Sequence, residues 1–246
     1  MRGLTASFQY ISEKEITLKN VKNIILAGDV GCTGFDDENK RVLKVILSAK
    51  ADIFLILGDI AFSGSEEEFR KVKDFCAANT RIPIFALRGN HDLPSYSDFF
   101  GKPYYAVLLE NAILIFLDNA PGRFSEESIA FLNEELERHA DKKAFVLFHV
   151  PPPTNICRAC LSSEEWMRLR PILDKYKNNI EAVISAHIHG HHEYSVDGYR
   201  VLITAGGGAA MIYELLHKEL MVHNFLKMSI LQDGSAEFTN VLIGKE

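Results

Sequence analysis

The sequence predicts an α/β fold built on two sheets, each covered by helices on its outer side. Three observations predict it. Short β-rich runs alternate with amphipathic helical stretches through most of the chain, the pattern of parallel strands joined by helices. Five apolar runs end in short polar signatures: Gly28-Asp29-Val30-Gly31, Gly58-Asp59, Gly89-Asn90-His91-Asp92, His149 and His187-Ile188-His189. A chain of 246 residues, 47% of them hydrophobic, also supplies a core large enough for one α/β domain spanning residues 1–246.

The elements follow in order. Residues 22–27 form the first expected strand, which ends just before Asp29. Val42, Leu43, Val45, Ile46 and Ala49 recur at helical spacing, so 38–49 reads as a helix, followed by the buried strand 53–57 and Gly58-Asp59. Ser65-x-x-Glu68 is a capping box opening a helix to about residue 75. Strand 82–87 tolerates Pro83 near its start and runs into the Gly89-Asn90-His91-Asp92 turn. Segments 104–109 and 112–117 pair as a hairpin about Glu110-Asn111, and helix 126–139 follows with Ile129, Leu132 and Leu136 as its packing stripe.

Strand 144–148 ends at His149, where Pro151-Pro152-Pro153 forbids a helix and forces a loop. Residues 163–175 read as helical with a kink or break at Pro171. Segment 182–185 is a strand ending at the paired histidines, and 200–204 is another before Gly206-Gly207-Gly208. From Leu220 the tail alternates apolar and polar residues about a turn at 232–235, as a β-hairpin does.

Composition narrows the function classes. A formal charge of −6, from 27 basic against 33 acidic residues, gives no electrostatic footprint for nucleic acid and no polybasic membrane patch. No stretch has the roughly 18 uncharged apolar residues of a membrane span, and residues 1–19 lack the apolar core of a signal peptide, so a cytoplasmic protein is expected. Four cysteines are too few for a disulfide scaffold, and Cys157-x-x-Cys160, in the loop after His149, reads as a pair of reduced thiols. Nothing in the composition fixes an oligomeric state.

Buried strand ends are poor places for unpaired carboxylates and imidazoles, because desolvating them without partners is costly. A metal cluster compensates that cost. Two Asp, one Asn and three His are oxygen and imidazole donors that suit divalent Mn, Fe or Zn, with no thiolate needed. A lone Gly-Asp is ordinarily a turn, and a lone His a satisfied loop residue. Five signatures at five strand ends, on the edge where open α/β sheets bind ligands, read together as a two-metal hydrolytic site.

This motif order, over about residues 22–210, resembles that of the calcineurin-like metallophosphoesterases: D-x-H or G-D-x-G, then G-D, G-N-H-D/E, a lone His and G-H-x-H. The G-D-x-G opening is similar to that of purple acid phosphatases. The resemblance implies a four-layer α/β/β/α sandwich of two mixed sheets, with a dinuclear metal centre on one edge. It implies hydrolysis of phosphate mono- or diesters by a metal-activated hydroxide. Carried over residue by residue, Asp59 bridges the ions, as a carboxylate can for cations ~3.5–4 Å apart. Asp29 and His189 complete the first ion's shell, and Asn90, His149 and His187 the second. Alternation along an extended segment would point His187 and His189 one way and Ile188 the other. His91 resembles the family's non-ligand histidine, which protonates the leaving alkoxide, with Asp92 accepting a hydrogen bond from its other ring nitrogen.

Three positions depart from the pattern. Gly31 stands where D-x-H has a ligand, Phe62 where purple acid phosphatases have a metal-binding tyrosine, and Ala186 where G-H-x-H has glycine. The first ion then keeps Asp29, Asp59 and His189, with water, Cys32, Asp36 or His191 as substitutes, and binds more weakly. Without the phenolate, two divalent ions (Mn, Fe or Zn) are expected. Two alternatives stand beside this reading. One is a metal-poor binding or scaffold protein on the same fold, against which the presence of His91 speaks. The other is a mononuclear phosphodiesterase that fills only the Asp59, Asn90, His149 and His187 site. Arg88 reads as a salt-bridge partner or a phosphate contact, and Gly206-Gly207-Gly208 as a close backbone approach or a sheet bend.

Overall fold

The computed structural model describes residues 7–157, 159–211 and 220–244. Its elements are β1 (Ser7–Phe8), β2 (Glu15–Thr17), β3 (Asn23–Ala27), α1 (Asp37–Leu47), β4 (Ile53–Leu57), α2 (Glu66–Asn79), β5 (Pro83–Leu87), α3 (Tyr96–Phe100), β6 (Tyr105–Leu108), β7 (Ala112–Phe116), α4 (Glu126–Arg138), β8 (Lys143–Leu147), α5 (Ser163–Lys175), β9 (Ile180–Ser185), β10 (His191–Val196), β11 (Tyr199–Thr204), β12 (Asn224–Ile230) and β13 (Ala236–Leu242). One sheet has the order β1-β5-β4-β3-β12-β13, the other β10-β11-β9-β8-β7-β6-β2. Both are mixed. β3, β4 and β5 run parallel and β12 antiparallel to them, while β7, β8, β9 and β11 run parallel with antiparallel neighbours β6 and β10.

Strict two-residue alternation divides the first sheet between two cores. Ile24, Leu26, Leu55, Leu57, Phe85 and Leu87 enter the core shared with the second sheet. Ile25, Ala27, Phe54, Ile56, Ile84 and Ala86 enter the core beneath α1, α2 and α3. Strands buried on both faces need uninterrupted apolar runs such as Ile-Phe-Leu-Ile-Leu in β4, each fully buried side chain contributing about 1.5–3 kcal/mol. On the far side α4 and α5 lay Phe131, Leu132, Leu136, Trp166, Leu169 and Leu173 against the second sheet. The four-layer sandwich implied by the motif order is what these residues build.

The helix starts follow their local chemistry. Ser65 caps α2 through a capping box with Glu68, and Asp36, Ser125 and Ser162 cap α1, α4 and α5, each cap worth roughly 1 kcal/mol. α5 continues through Pro171 without the expected break. Pro171 lies on the exposed face, where water can satisfy the carbonyl that loses its helical donor. The sequence reading missed β1, β2, α3 and β10. β10 and β11 join through Asp197-Gly198, both at positive φ (52° and 81°), the two-residue hairpin signal that would have found them. Among the described residues, no helix is long and apolar enough to cross a membrane.

Candidate metal centre

The carboxyl ends of β3, β4 and β5 meet those of β8 and β9 at one edge of the sandwich. The contacts are direct: the His187 main-chain N–H donates to Asp29 Oδ2 at 2.9 Å, His149 Nδ1 lies 2.8 Å from the Leu57 carbonyl oxygen, and Gly28 N–H donates to Thr204 O at 2.8 Å. Two groups of donor atoms result, each with all its atoms within 4.8 Å of one another. Asp29, Cys32 and His189 form one, and Asp59, His149 and His187 the other. Asn90 joins the second, with Oδ1 3.1 Å from His149 Nε2.

Hydrogen bonding fixes which ring nitrogens can bind a cation. A carbonyl oxygen only accepts, so His149 Nδ1 on Leu57 O and His189 Nδ1 on Ala210 O, at 2.6 Å, must both carry protons. Their Nε2 atoms are then lone-pair donors in the neutral rings. His149 Nε2 faces Asn90 Oδ1 at 3.1 Å, His187 Nδ1 at 3.2 Å and Asp59 Oδ1 at 3.3 Å. Without an ion, the proton that Asp59 holds on His149 Nε2 sits among these acceptors. A cation that displaced it would meet nitrogen and oxygen donors already gathered around one point, so the residues fit a metal ion.

The electrostatics agree. Asp29, Asp59 and Asp92 are buried, and among the described residues the ion-pair partners of Asp29 and Asp59 are imidazoles rather than Lys or Arg. Burial pushes Asp29 well above the usual carboxylate range, and it pushes Asp92, beside charged Asp59, up to about 7. Burial also opposes ionisation of Asp59, but His149 and the His91 N–H hold it below the usual range. His149 is lowered by burial and lifted further by Asp59, to about 10. Burial and the neighbouring His149 charge bring His187 down to about 3, and burial lowers His189. Acids this buried call for positive charge, which protonated His149 supplies here and a bound cation would supply in its place, while His187 and His189 are held in the neutral form that binds a metal.

Backbone strain concentrates at the same residues. Six described non-glycine residues have positive φ, and four of them are Asp29 (60°), Asp59 (56°), His187 (75°) and His189 (51°). Left-handed backbone costs of order 1–3 kcal/mol per residue and persists where the surrounding structure over-determines it, as such structure does at ligand-binding sites. It also corrects the expected extended alternation at His187-Ile188-His189. Two left-handed turns, not a strand, send His187 to the second group and His189 to the first while Ile188 is buried in the core. Glycine permits the close approach of the loops. A Cβ at Gly89 would lie 2.2 Å from Asp59 Oδ1, and one at Gly31 would lie 2.0 Å from the Ile60 carbonyl oxygen.

His91 stands beside the groups, partly exposed, and its main-chain N–H donates to Asp59 Oδ1 at 2.9 Å. The expected pairing of its ring with Asp92 is corrected by the geometry. His91 Nδ1 lies 2.8 Å from the Phe62 carbonyl oxygen, and its ring stacks with the exposed Phe62 ring at 5.9 Å between centroids. Asp92 instead accepts main-chain N–H groups of Asp59, Ile60, Ala61 and Gly89 at 2.8–3.1 Å. Proximity in sequence suggested the wrong partner, because the 3₁₀ turn Asn90–Asp92 aims Asp92 inward at the loop after β4.

Of the side-chain substitutes for the missing first-site ligand, Cys32 alone among the described residues joins the group. Asp36 is spent capping α1, and His191 Nδ1 is paired with Ile203 O at 2.8 Å within the second sheet. Arg88 pairs with Asp118 at the end of β7. The Gly206-Gly207-Gly208 run brings backbone against the first motif, Gly207 N–H donating to Gly28 O at 2.9 Å and Ala209 N–H to Asp29 O at 2.9 Å. Cys157 and Cys160 are free thiols.

Residues 22–191, which carry the first two motifs through to the paired histidines, match the sequence model of the calcineurin-like phosphoesterases. The chain belongs to that family. Within curated proteins, this calcineurin-like phosphoesterase is 24% identical over 172 residues to a probable cyclic nucleotide phosphodiesterase of Fibrobacter succinogenes, covering 62% of this chain and 63% of that protein. It is 26% identical over 164 residues to a probable glycerophosphodiester phosphodiesterase of Arcobacter nitrofigilis, covering 58% of each. The matched region thus spans about six tenths of these relatives' length. A purple acid phosphatase from yellow lupin (Lupinus luteus) seeds shares the fold with a TM-score of 0.71 at 15% identity, over 90% of this chain and 52% of that one.

Proposed function

We propose that this calcineurin-like phosphoesterase holds two divalent ions, Mn, Fe or Zn, at its two donor groups and hydrolyses phosphate esters. The names of its relatives favour phosphodiesters over monoesters. One observation carries the reading: donor atoms of His149, His187, Asn90 and Asp59 converge beside a second group containing Asp29 and His189. Ions bound there supply an activated water for in-line attack and offset the charge that develops on the phosphoryl oxygens. Asp59 stands between the groups: its carboxylate faces His149, and its charge adds to the burial and the Asp29 charge that raise the Cys32 thiol of the other group. His91, tethered at Nδ1 by Phe62 O, has Nε2 left to hand a proton to the leaving alkoxide as its P–O bond breaks. Asp92 is a positioning residue that ties the loops after β4 and β5 together. The free cysteines support a reducing compartment, the cytoplasm.

Gly31 favours a second reading, a mononuclear enzyme using Asp59, Asn90, His149 and His187, because position 31 contributes no ligand to the first ion. Elemental analysis decides between them when paired with hydrolysis of bis(p-nitrophenyl) phosphate and p-nitrophenyl phosphate in chelator, then in Mn, Fe or Zn. Near two ions per chain, with turnover of the diester that chelator abolishes and metal restores, is the expected result. One ion with turnover selects the mononuclear enzyme. Less than one held ion and no turnover in any metal sinks both and returns the chain to a binding or scaffold role.

A further inference from the structure

We infer that Cys32 is a ligand of the first ion, as a thiolate in a Cys-His-carboxylate set that replaces the family's D-x-H histidine and makes this position thiophilic. The inference rests on the two-ion reading above and deepens it.

Four observations carry it. First, position 31 is closed to any side chain. The missing Cβ at Gly31 would meet Ile60 O at 2.0 Å and Ile60 C at 2.8 Å, so the loops after β3 and β4 are pressed together where the histidine of D-x-H would start. A ligand must come from elsewhere. Second, Cys32 is buried, and its Sγ lies 3.3 Å from His189 Nε2 and 4.0 Å from Asp29 Oδ1. Third, His189 Nε2 and Asp29 Oδ1 are 3.6 Å apart. A tetrahedral ion with bonds of ~2.0–2.3 Å to nitrogen, oxygen and sulfur separates its ligands by roughly 3.4–3.6 Å, close to the triangle these atoms make. Fourth, His189 presents Nε2 as a lone pair because its Nδ1 is committed to Ala210 O, so the imidazole donor faces Sγ, with Asp29 Oδ1 completing the triangle.

The chemistry of the exchange is specific. A histidine at this position is a borderline donor that accepts Mn, Fe or Zn alike, whereas a thiolate favours Zn and other thiophilic ions over Mn. On binding, the thiol gives its proton to solvent and its sulfur lone pair to the ion. The two positions of the centre would then differ in preference: an oxygen and nitrogen set at Asp59, Asn90, His149 and His187, and a sulfur-containing set at Asp29, Cys32 and His189.

Cobalt(II) added to the metal-stripped full chain tests this. The ion reports sulfur ligation through a near-ultraviolet sulfur-to-cobalt charge-transfer band, while the stoichiometry independently reports the two-ion reading. The expected result is a band at saturation that vanishes in Cys32→Ser and Cys32→Ala, with the second ion retained as proof of folding. The band persists in the double variant Cys157→Ser with Cys160→Ser. Affinity for the first ion should fall by at least the ~10–100-fold seen when even an outer partner of a ligand is lost. Two bound ions without the band, or a band and affinity unchanged in Cys32→Ser, overturns the thiolate and leaves the two-ion reading standing. One bound ion with a Cys32-dependent band supports the thiolate and removes the two-ion reading. One ion without the band, or no ion at all, overturns the inference.

Discussion

The main-chain N–H of His91 donates to Oδ1 of Asp59 at 2.9 Å, so the carboxylate read as the bridge between two ions also holds the backbone of the residue read as the acid. One hydrogen bond thereby ties the Asp59 carboxylate to the His91 main chain. Asp59→Asn should lose both ions and all metal-restored turnover, as measured by elemental analysis and diester hydrolysis. Two ions retained in that variant would remove Asp59 from the bridging position.

His91→Ala should keep the ion content while turnover falls ~10²–10⁴-fold, the usual worth of a positioned acid. Its ring is held by the Phe62 carbonyl and stacks on the Phe62 ring, outside the two donor groups, so loss of metal in this variant would contradict the separation of roles.

Asp92→Ala should unfold more readily by on the order of 4 kcal/mol in urea. Four main-chain N–H groups lose their acceptor in a buried site, and each orphan costs ~1–3 kcal/mol before relaxation. A variant of wild-type stability with impaired turnover would instead restore the expected partnership with the His91 ring.

Gly31→His should fail to rebuild the family's D-x-H ligand. The new Cβ would overlap the Ile60 carbonyl oxygen, an overpacking cost on the order of 3 kcal/mol, and the first ion's affinity should fall rather than rise. Tighter binding in this variant, followed by isothermal titration with Zn, would show that the loops can part.

Glu135 offers a pH signature far from the centre. Burial raises it above its ordinary value of 4.5, Arg138 opposes the shift and Glu15 adds to it. The native state therefore holds this proton more tightly than the unfolded chain does. The stabilisation is complete below the ordinary value and is lost as pH rises through the raised one. Glu135→Gln should gain stability relative to wild type between acidic and neutral pH, read from urea midpoints at several pH values. A difference that does not vary with pH would refute the assignment.

Much of this was legible in the sequence because burial on both faces leaves a coarse trace. Ile53–Leu57 could be little other than a central strand, and the polar residue after each such run had to lie at the sheet edge. All six expected ligands converge for that reason. What stayed hidden depends on backbone twist. His187 and His189 diverge through left-handed turns, Asp92 swings to the neighbouring loop, and Cys32 enters the first group because Gly31 lets two loops touch. Short edge strands such as β1 and β2, held by few residues each, carry too little pattern to read.

The donors are shared between the sheets in a lopsided way. Asp29, Cys32, Asp59 and Asn90 all follow strands of one sheet, and His149, His187 and His189 all follow strands of the other. Neither half has both anions and imidazoles. At the proposed centre, capture of an ion would therefore be a late event in the chain's assembly, waiting until residues as far apart as Cys32 and His189 are already neighbours. The time course of cobalt colour during refolding would follow the docking of the two sheets, and a nascent chain released before β8 would have the carboxylates to offer a cation and none of the three imidazoles.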